Sequence, residues 1–99
     1  MNPLVMLISG PNLNLLGTRE PEIYGSATLA DHVAAARAAA DAHRLTLTHV
    51  QSNAEHEVVA AIHQAAERNA GVIINPGAFT HYAWAIHDAL AACSGPIIE

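Results

Sequence analysis

The first residues that could do chemistry lie in a glycine-bracketed segment near the start of the chain. Arg19 and Tyr24 are separated by five positions within the sequence Gly10-Pro-Asn-Leu-Asn-Leu-Leu-Gly-Thr-Arg-Glu-Pro-Glu-Ile-Tyr-Gly25. A guanidinium close to a phenol favours the phenolate, because a nearby opposite charge lowers the pKa of an acid. The pair therefore predicts a tyrosine that is tuned for proton transfer.

Other polar side chains follow the remaining apolar runs of the sequence. Asn12 follows the first run, Asn53 the second, and Asn75 and His81 the third. If these runs are parallel strands, their carboxyl ends meet at one edge of the sheet, where α/β proteins bind ligands. We therefore expect a ligand crevice at this edge.

Each of these residues also has a plain structural interpretation. Asn12 and Asn75 are common turn formers, and taken singly that explanation is the stronger one. Arg19 could be a solvated charge and Tyr24 a loop anchor. His81 could be a residue without a role at a helix start.

Asp88 lies seven residues after His81, so a helix through both would present them on one face. That face is not the apolar one. A polar stripe that leads away from a crevice is typical either of simple exposure or of contact with a neighbouring subunit.

The elements that must position these residues follow from apolar runs and helix signals. Apolar runs predict four strands, at residues 4–9, 45–50, 72–74 and 97–99. Helical spacing and helix signals predict three helices: one from a capping box at 28–31 to about 44, one from a second box at 52–55 to a C-cap at Gly71, and one from about 80 to 93. The order βαβαβαβ predicts an α/β fold with a parallel sheet between two helical layers.

Composition narrows the function classes. The 99 residues suit one domain, spanning 1–99, and the net charge of −5 without a basic cluster argues against nucleic acid. The absence of lysine excludes a Schiff-base lysine and a P-loop. A lone Cys93 and the lack of a membrane-length apolar run favour a cytoplasmic protein without membrane partners.

The remaining histidines and serines give no pattern of a metal or nucleophile site. His56 and His63 share a helix face but have no third ligand in view. Ser9, Ser52 and Ser94 have no recognisable histidine–carboxylate relay. We expect these side chains to be structural or exposed.

Three motifs, taken together, resemble the type II 3-dehydroquinate dehydratases. They are the 10–25 segment, Gln51-Ser-Asn-Ala-Glu55 and Ile74-Asn-Pro-Gly-Ala-Phe-Thr-His-Tyr82. The resemblance implies a flavodoxin-like fold and the dehydration of 3-dehydroquinate to 3-dehydroshikimate, in the shikimate pathway or in quinate catabolism. It also implies no metal, no organic cofactor, and a homo-oligomer of trimers packed into a dodecamer.

The resemblance also implies roles for individual residues. Tyr24 would be the base, Arg19 its activator, and Asn12 the residue that holds a water against the developing enolate. Asn75 and His81 would bind substrate hydroxyls.

Two further roles concern the far end of the chain. By resemblance, Asp88 would reach the site of an adjacent subunit, and Glu99 would orient a general-acid histidine that the family supplies after the fourth strand. We therefore expect a domain cut short in or after that strand. Two alternatives stay open: a flavodoxin-like module that binds flavin or a phosphorylated ligand, and an inactive truncated chain.

Overall fold

The chain folds around a four-stranded parallel sheet. The computed structural model describes residues 2–18 and 21–99, with Pro21 and Tyr24 described by their backbone alone. The strands are β1 (Leu4–Ser9), β2 (Thr46–Gln51), β3 (Gly71–Asn75) and β4 (Ile97–Ile98). Their spatial order is β2-β1-β3-β4, and every neighbouring pair is parallel. This is the flavodoxin-like, doubly wound order, so the predicted fold class is confirmed.

In the part of the chain that the structure describes, four helices and two 3₁₀ turns connect the strands. The helices are α1 (Pro21–Tyr24), α2 (Leu29–Ala42), α3 (Glu55–Glu67) and α4 (Trp84–Ala91). The 3₁₀ turns are Leu13–Leu15, after β1, and Gly77–His81, after β3. Within the described ranges, no helix is long and apolar enough to cross a membrane.

The two faces of the sheet are covered by different helices. Met6 and Ile8 of β1 point to one face and are buried against α3 and α4, together with Ile62 and Ile86. Val5, Leu7 and Ser9 alternate to the opposite face, over which α2 packs. Apolar side chains buried on one face therefore fix the register that places Ser9 on the other.

Local signals set the start of α2 as predicted. The Thr28 hydroxyl accepts a hydrogen bond from the Asp31 amide at 3.1 Å, and the Asp31 carboxylate accepts one from the Thr28 amide at 2.9 Å. This reciprocal pair is a capping box.

The second predicted capping box is wrong. Helix α3 begins at Glu55, and its N-cap, Ala54, has no side-chain cap. The Ser52 hydroxyl instead accepts a hydrogen bond from the Ala54 amide at 2.9 Å and donates one to the Glu57 carboxylate at 2.8 Å. The serine therefore caps a turn that precedes the helix.

Two predicted boundaries also differ. Helix α3 is capped at Arg68, and the left-handed residue after it is Asn69 (φ 52°), while Gly71 already opens β3. The third predicted helix does not begin near Thr80, because residues 77–81 form a 3₁₀ turn and α4 starts only at Trp84.

Candidate active site at the carboxyl ends of the strands

The loops that follow β1 and β3 touch at the carboxyl edge of the sheet. The Gly10 amide donates a hydrogen bond to the Asn75 carbonyl at 2.8 Å. A Cβ on Gly10 would collide with the Pro76 carbonyl, and one on Gly77 (φ 59°) would lie 3.2 Å from the Pro11 carbonyl oxygen. The approach of the two loops therefore requires glycine at position 10.

Asn12 is held at the lip of this crevice by its own backbone. It adopts a left-handed conformation (φ 68°), which asparagine tolerates better than most residues. Its carbonyl accepts a hydrogen bond from the Leu15 amide at 2.9 Å, and its amide donates one to Asn53 Oδ1, also at 2.9 Å. Both backbone groups are thus satisfied, and the residue is exposed at the lip.

A carboxamide network ties the loop after β1 to the end of β2. Gln51 Nε2 donates to the Gly10 carbonyl at 3.1 Å and to Asn53 Oδ1 at 3.2 Å, and lies 3.5 Å from Asn14 Oδ1. Sequence reasoning placed Asn53 in the crevice but gave Gln51 no role. Its position at the end of a strand was the available signal, since crevice residues collect there.

Asn75 ends β3 with its carboxamide in a defined orientation. Its Oδ1 accepts a hydrogen bond from the Gly77 amide at 3.2 Å. Because a backbone amide can only donate, Oδ1 must be the atom that faces it, which turns Nδ2 and its two hydrogens away from the turn. Asn75 thereby has the donor that a bound hydroxyl or carbonyl oxygen needs.

His81 and Asp88 do not share a helix, so the prediction of one common face is wrong. His81 closes the 3₁₀ turn, and Asp88 lies within α4. The backbone of Tyr82 (φ −152°, ψ −11°) interrupts the helical path between them. Both side chains are nevertheless exposed.

The roles of the predicted base, Tyr24, and of its activator, Arg19, stay predictions. Arg19 lies outside the described residues, and of Tyr24 only the backbone, at the end of α1, is described. Glu99 is exposed and follows directly on β4.

A cavity of about 250 Å³ lies between β1, the first 3₁₀ turn and α2. Most of its wall is apolar, and its polar side chains are Ser9, His32 and Asn75. Ser9 and Asn75 are register partners on neighbouring strands, so both side chains leave the same face of the sheet. An apolar pocket with a few polar groups is the usual form of a small-molecule site.

Ser9 has a histidine partner that sequence reasoning did not foresee. Its Oγ lies 3.0 Å from His49 Nε2. Burial lowers the pKa of His49, and the positive charge of Arg37 lowers it further. Both effects favour the neutral imidazole. No sequence pattern indicated this pair, which lacks the carboxylate that a histidine–carboxylate relay would need among the described hydrogen bonds.

Metal ligation finds no support in residues 2–18 and 21–99. They contain no group of three or more His, Cys, Asp or Glu side chains that could hold a metal ion. The crevice and the adjoining cavity present carboxamides, backbone groups, the Ser9 hydroxyl and the His32 imidazole. Such a set can orient a polar ligand and donate hydrogen bonds to developing negative charge.

Comparison with known proteins shows which family and which solved structures this chain resembles. The family model described as "Dehydroquinase class II" matches residues 3–99. Curated relatives include 3-dehydroquinate dehydratase 2 of Agrobacterium fabrum, 54% identical over 97% of this chain, and the catabolic 3-dehydroquinase of Aspergillus clavatus, 54% identical over all of it. The crystal structure of a type II dehydroquinase from Propionibacterium acnes superposes with a TM-score of 0.91 at 38% identity over 98% of this chain.

These relatives are longer than the chain described here. The chain spans 65% of the Agrobacterium protein, 66% of the Aspergillus protein and 67% of the Propionibacterium chain. The likeness therefore extends over nearly the whole of this chain and about two thirds of each relative.

Proposed function

The chain belongs to the class II dehydroquinase family, and on that premise we propose that its domain, residues 1–99, is part of a hydro-lyase that converts 3-dehydroquinate to 3-dehydroshikimate. The relatives named 3-dehydroquinate dehydratase support this reaction. The cytoplasm is the proposed compartment, and the shikimate pathway and quinate catabolism are both compatible with the proposal, since one relative is named as catabolic.

The observation that carries the proposal is the convergence of Asn12 and Asn75 on one crevice. Asn12 follows β1 and Asn75 ends β3, and the Gly10–Asn75 backbone hydrogen bond of 2.8 Å joins their loops. The Asn12 amide donates to Asn53 Oδ1, which fixes the backbone of Asn12. Asn75 Oδ1 accepts from the Gly77 amide, which fixes the carboxamide of Asn75. Preorganised polar groups of this kind stabilise charge that develops in a transition state.

The chemistry begins with removal of a proton from the carbon beside the substrate ketone. In the proposal Tyr24, as phenolate, takes this proton, and the electron pair moves onto the carbonyl oxygen to give an enolate. A free phenol has a pKa of about 10, and lowering it by about three units requires roughly 4 kcal/mol of preferential stabilisation of the phenolate. The guanidinium of Arg19 would supply much of that.

The enolate then collapses and expels the neighbouring hydroxyl as water. The carbon–oxygen bond breaks, a carbon–carbon double bond forms, and a general acid provides the proton that the leaving hydroxyl needs. In this step Asn12 would hold a water that donates to the enolate oxygen. Asn75 and His81 would bind the substrate hydroxyls, and Glu99 would orient the general acid.

A homo-oligomer is part of the same proposal, with trimers that pack into a dodecamer. Asp88 would reach the crevice of an adjacent copy from α4. On the same helix Trp84 is 78% exposed, and its ring lies 5.7 Å from that of His87. An exposed aromatic side chain beside polar groups is typical of a protein interface, which supports this face as the contact between copies.

The test is an assay of the conversion of 3-dehydroquinate to 3-dehydroshikimate, with the intact mass of the assayed chain measured on the same sample. We expect Tyr24→Phe to reduce kcat by a factor of about 10²–10⁴, the usual contribution of a positioned acid or base. Tyr82→Phe is the matched control, because it removes the hydroxyl of the other tyrosine, which is exposed. Near-normal turnover by Tyr24→Phe would refute the assignment of the base.

Two other outcomes would favour the alternative functions. A preparation that is yellow as purified and inactive with 3-dehydroquinate would point to a flavin-binding module. A colourless, folded and inactive preparation whose mass corresponds to 99 residues would point to a chain that needs further residues for turnover.

A further inference from the structure

We propose that Ser9 is an additional substrate-binding residue, whose hydroxyl accepts a hydrogen bond from a ligand hydroxyl in the cavity beside Asn75, and that His49 is the positioning residue that sets its orientation. The inference rests on the proposed function and extends it, because the ligand is the same hydroxylated ring acid. It assigns a role to a buried serine and a half-buried histidine that the dehydration steps leave unused.

The location of Ser9 makes contact with a ligand possible. Ser9 is the last residue of β1 and is only 4% exposed, yet it lines the cavity of about 250 Å³. Its register partner on β3 is Asn75, which lines the same cavity. A ligand hydroxyl gripped by Asn75 would therefore have a second polar group within the same wall, among apolar neighbours such as Leu13 and Val33.

His49 determines which side of the Ser9 hydroxyl faces this cavity. The Oγ–Nε2 distance of 3.0 Å is that of a hydrogen bond. A hydroxyl has one hydrogen and two lone pairs. We assign neutral His49 the tautomer with its hydrogen on Nδ1, so that Nε2 accepts the Ser9 hydrogen. The lone pairs of Ser9 Oγ are then left for the cavity, and Ser9 acts there as an acceptor.

Protonation of His49 reverses this arrangement. An imidazolium donates from both nitrogens, so Ser9 must then accept from Nε2 and turn its own hydrogen toward the cavity. A cavity acceptor becomes a donor, and a ligand hydroxyl that donated to Ser9 loses its partner. Binding through Ser9 should therefore weaken as the pH falls through the pKa of His49.

The charged surroundings of His49 disfavour its protonation. From α2, Arg37 faces His49 across a second cavity of about 430 Å³, and His32 lines the cavity that contains Ser9. Strand β1 brings no titratable side chain, since residues 4–9 are Leu-Val-Met-Leu-Ile-Ser. Arg37, anchored through Nη1 to the Leu47 carbonyl at 2.9 Å, disfavours a second positive charge on His49.

The experiment compares KM and kcat for 3-dehydroquinate from about pH 5 to about pH 8, the range in which histidine titrates, in the wild-type protein and three variants. We expect Ser9→Ala to raise KM about three- to tenfold at neutral pH, the value of one hydrogen bond, with little change in kcat. It should also abolish the rise of KM in acid.

The two substitutions at position 49 separate titration from packing. His49→Gln keeps an acceptor in the side chain but cannot titrate, so KM should stay low and lose the same rise in acid that Ser9→Ala loses. His49→Phe keeps a ring of similar shape without an acceptor and should behave like Ser9→Ala. His63→Gln, on an exposed site of α3, is the control and should leave both constants unchanged.

Three results would overturn the inference. One is a wild-type KM and pH profile in Ser9→Ala, and another is equal behaviour of His49→Gln and His49→Phe. The third is a hydrogen on His49 Nε2 at neutral pH, seen in imidazole ¹⁵N spectra of the wild-type protein. This measurement needs no variant and therefore serves even if Ser9→Ala does not fold. An active wild type with any of these results refutes the role of Ser9 alone, whereas a wild type that neither binds nor converts 3-dehydroquinate refutes the proposed function and this inference with it.

Discussion

The side chain of Asn53 and the backbone of Asn12 are joined by a hydrogen bond of 2.9 Å between residues 41 positions apart in the sequence. The bond fixes the loop after β1 to the end of β2. It also holds Asn12 in its left-handed conformation at the lip of the crevice. The position of a proposed catalytic residue thus depends on a neighbour that takes no part in the chemistry.

This relationship predicts different outcomes for two substitutions at position 53. Asn53→Ala removes the acceptor, so the Asn12 amide should exchange its hydrogen faster and the protein should lose about 0.5–1.5 kcal/mol of stability, the net value of one hydrogen bond. Asn53→Asp keeps an acceptor in the same place and should retain slow exchange. Amide exchange followed by NMR and urea unfolding measure the two effects, and equal exchange rates in both variants would contradict the assignment.

Asn75 gives a prediction that separates binding from folding. Asn75→Asp keeps the acceptor for the Gly77 amide but replaces the Nδ2 donor with a second acceptor. The fold should therefore survive. KM for 3-dehydroquinate should rise by about tenfold or more, because residue 75 would then present an acceptor to the ligand where Asn75 presents a donor. Steady-state kinetics with a thermal unfolding control test this, and an unchanged KM would exclude Asn75 from binding.

Gly10 predicts a large structural effect at the crevice. Gly10→Ala places a methyl group against the Pro76 carbonyl, so the two loops must separate. We expect a loss of about 1–3 kcal/mol, the usual range for overpacking. Gly71→Ala is the matched control, since its added carbon would be 3.6 Å from the nearest atom, an ordinary contact. Urea denaturation measures the free energy of unfolding of both variants. A Gly71→Ala variant that is less stable than Gly10→Ala would contradict the prediction.

Asp31 predicts a pH dependence of stability. The backbone hydrogen bond with Thr28 lowers the pKa of Asp31 below its ordinary value of 3.8, and the side-chain bond with the same residue adds to this. Because the folded pKa is depressed, the stabilisation is fully present above the unfolded pKa and is lost as the pH falls through the folded one. Wild type should therefore exceed Asp31→Asn in stability at neutral pH, and the difference should shrink below about pH 4. A difference that persists at lower pH would assign the effect to something other than this carboxylate.

Sequence-based predictions were most accurate for interactions between residues that are close together along the chain. The Thr28–Asp31 box was predictable because its partners are three residues apart. Ser52 and Glu55 show the same spacing, but there the Ser52 hydroxyl bonds Ala54 and Glu57 instead. A local pattern is therefore a reliable guide only where no competing partner lies equally close.

The candidate site was predicted in part. The expectation that Asn12 and Asn75 collect at one edge of the sheet agrees with the structure, because parallel strands impose it. The shared helix face of His81 and Asp88 was wrong, since the backbone at Tyr82 leaves the helical path. The roles of these residues, and those of Arg19 and Tyr24, stay predictions.

The sequence by itself determined the alternation of strands and helices, the parallel sheet and the family, because these depend on apolar periodicity and on motifs read along the chain. Only the tertiary structure decided that Asn53 holds Asn12 and that His49 meets Ser9. Those partners lie about 40 residues apart, and their contact depends on the register in which β1 and β2 pair, with Leu7 opposite His49 and Ser9 opposite Gln51. Register is set by the burial of the opposite face of the sheet, a property of the packed molecule that no local stretch of sequence contains.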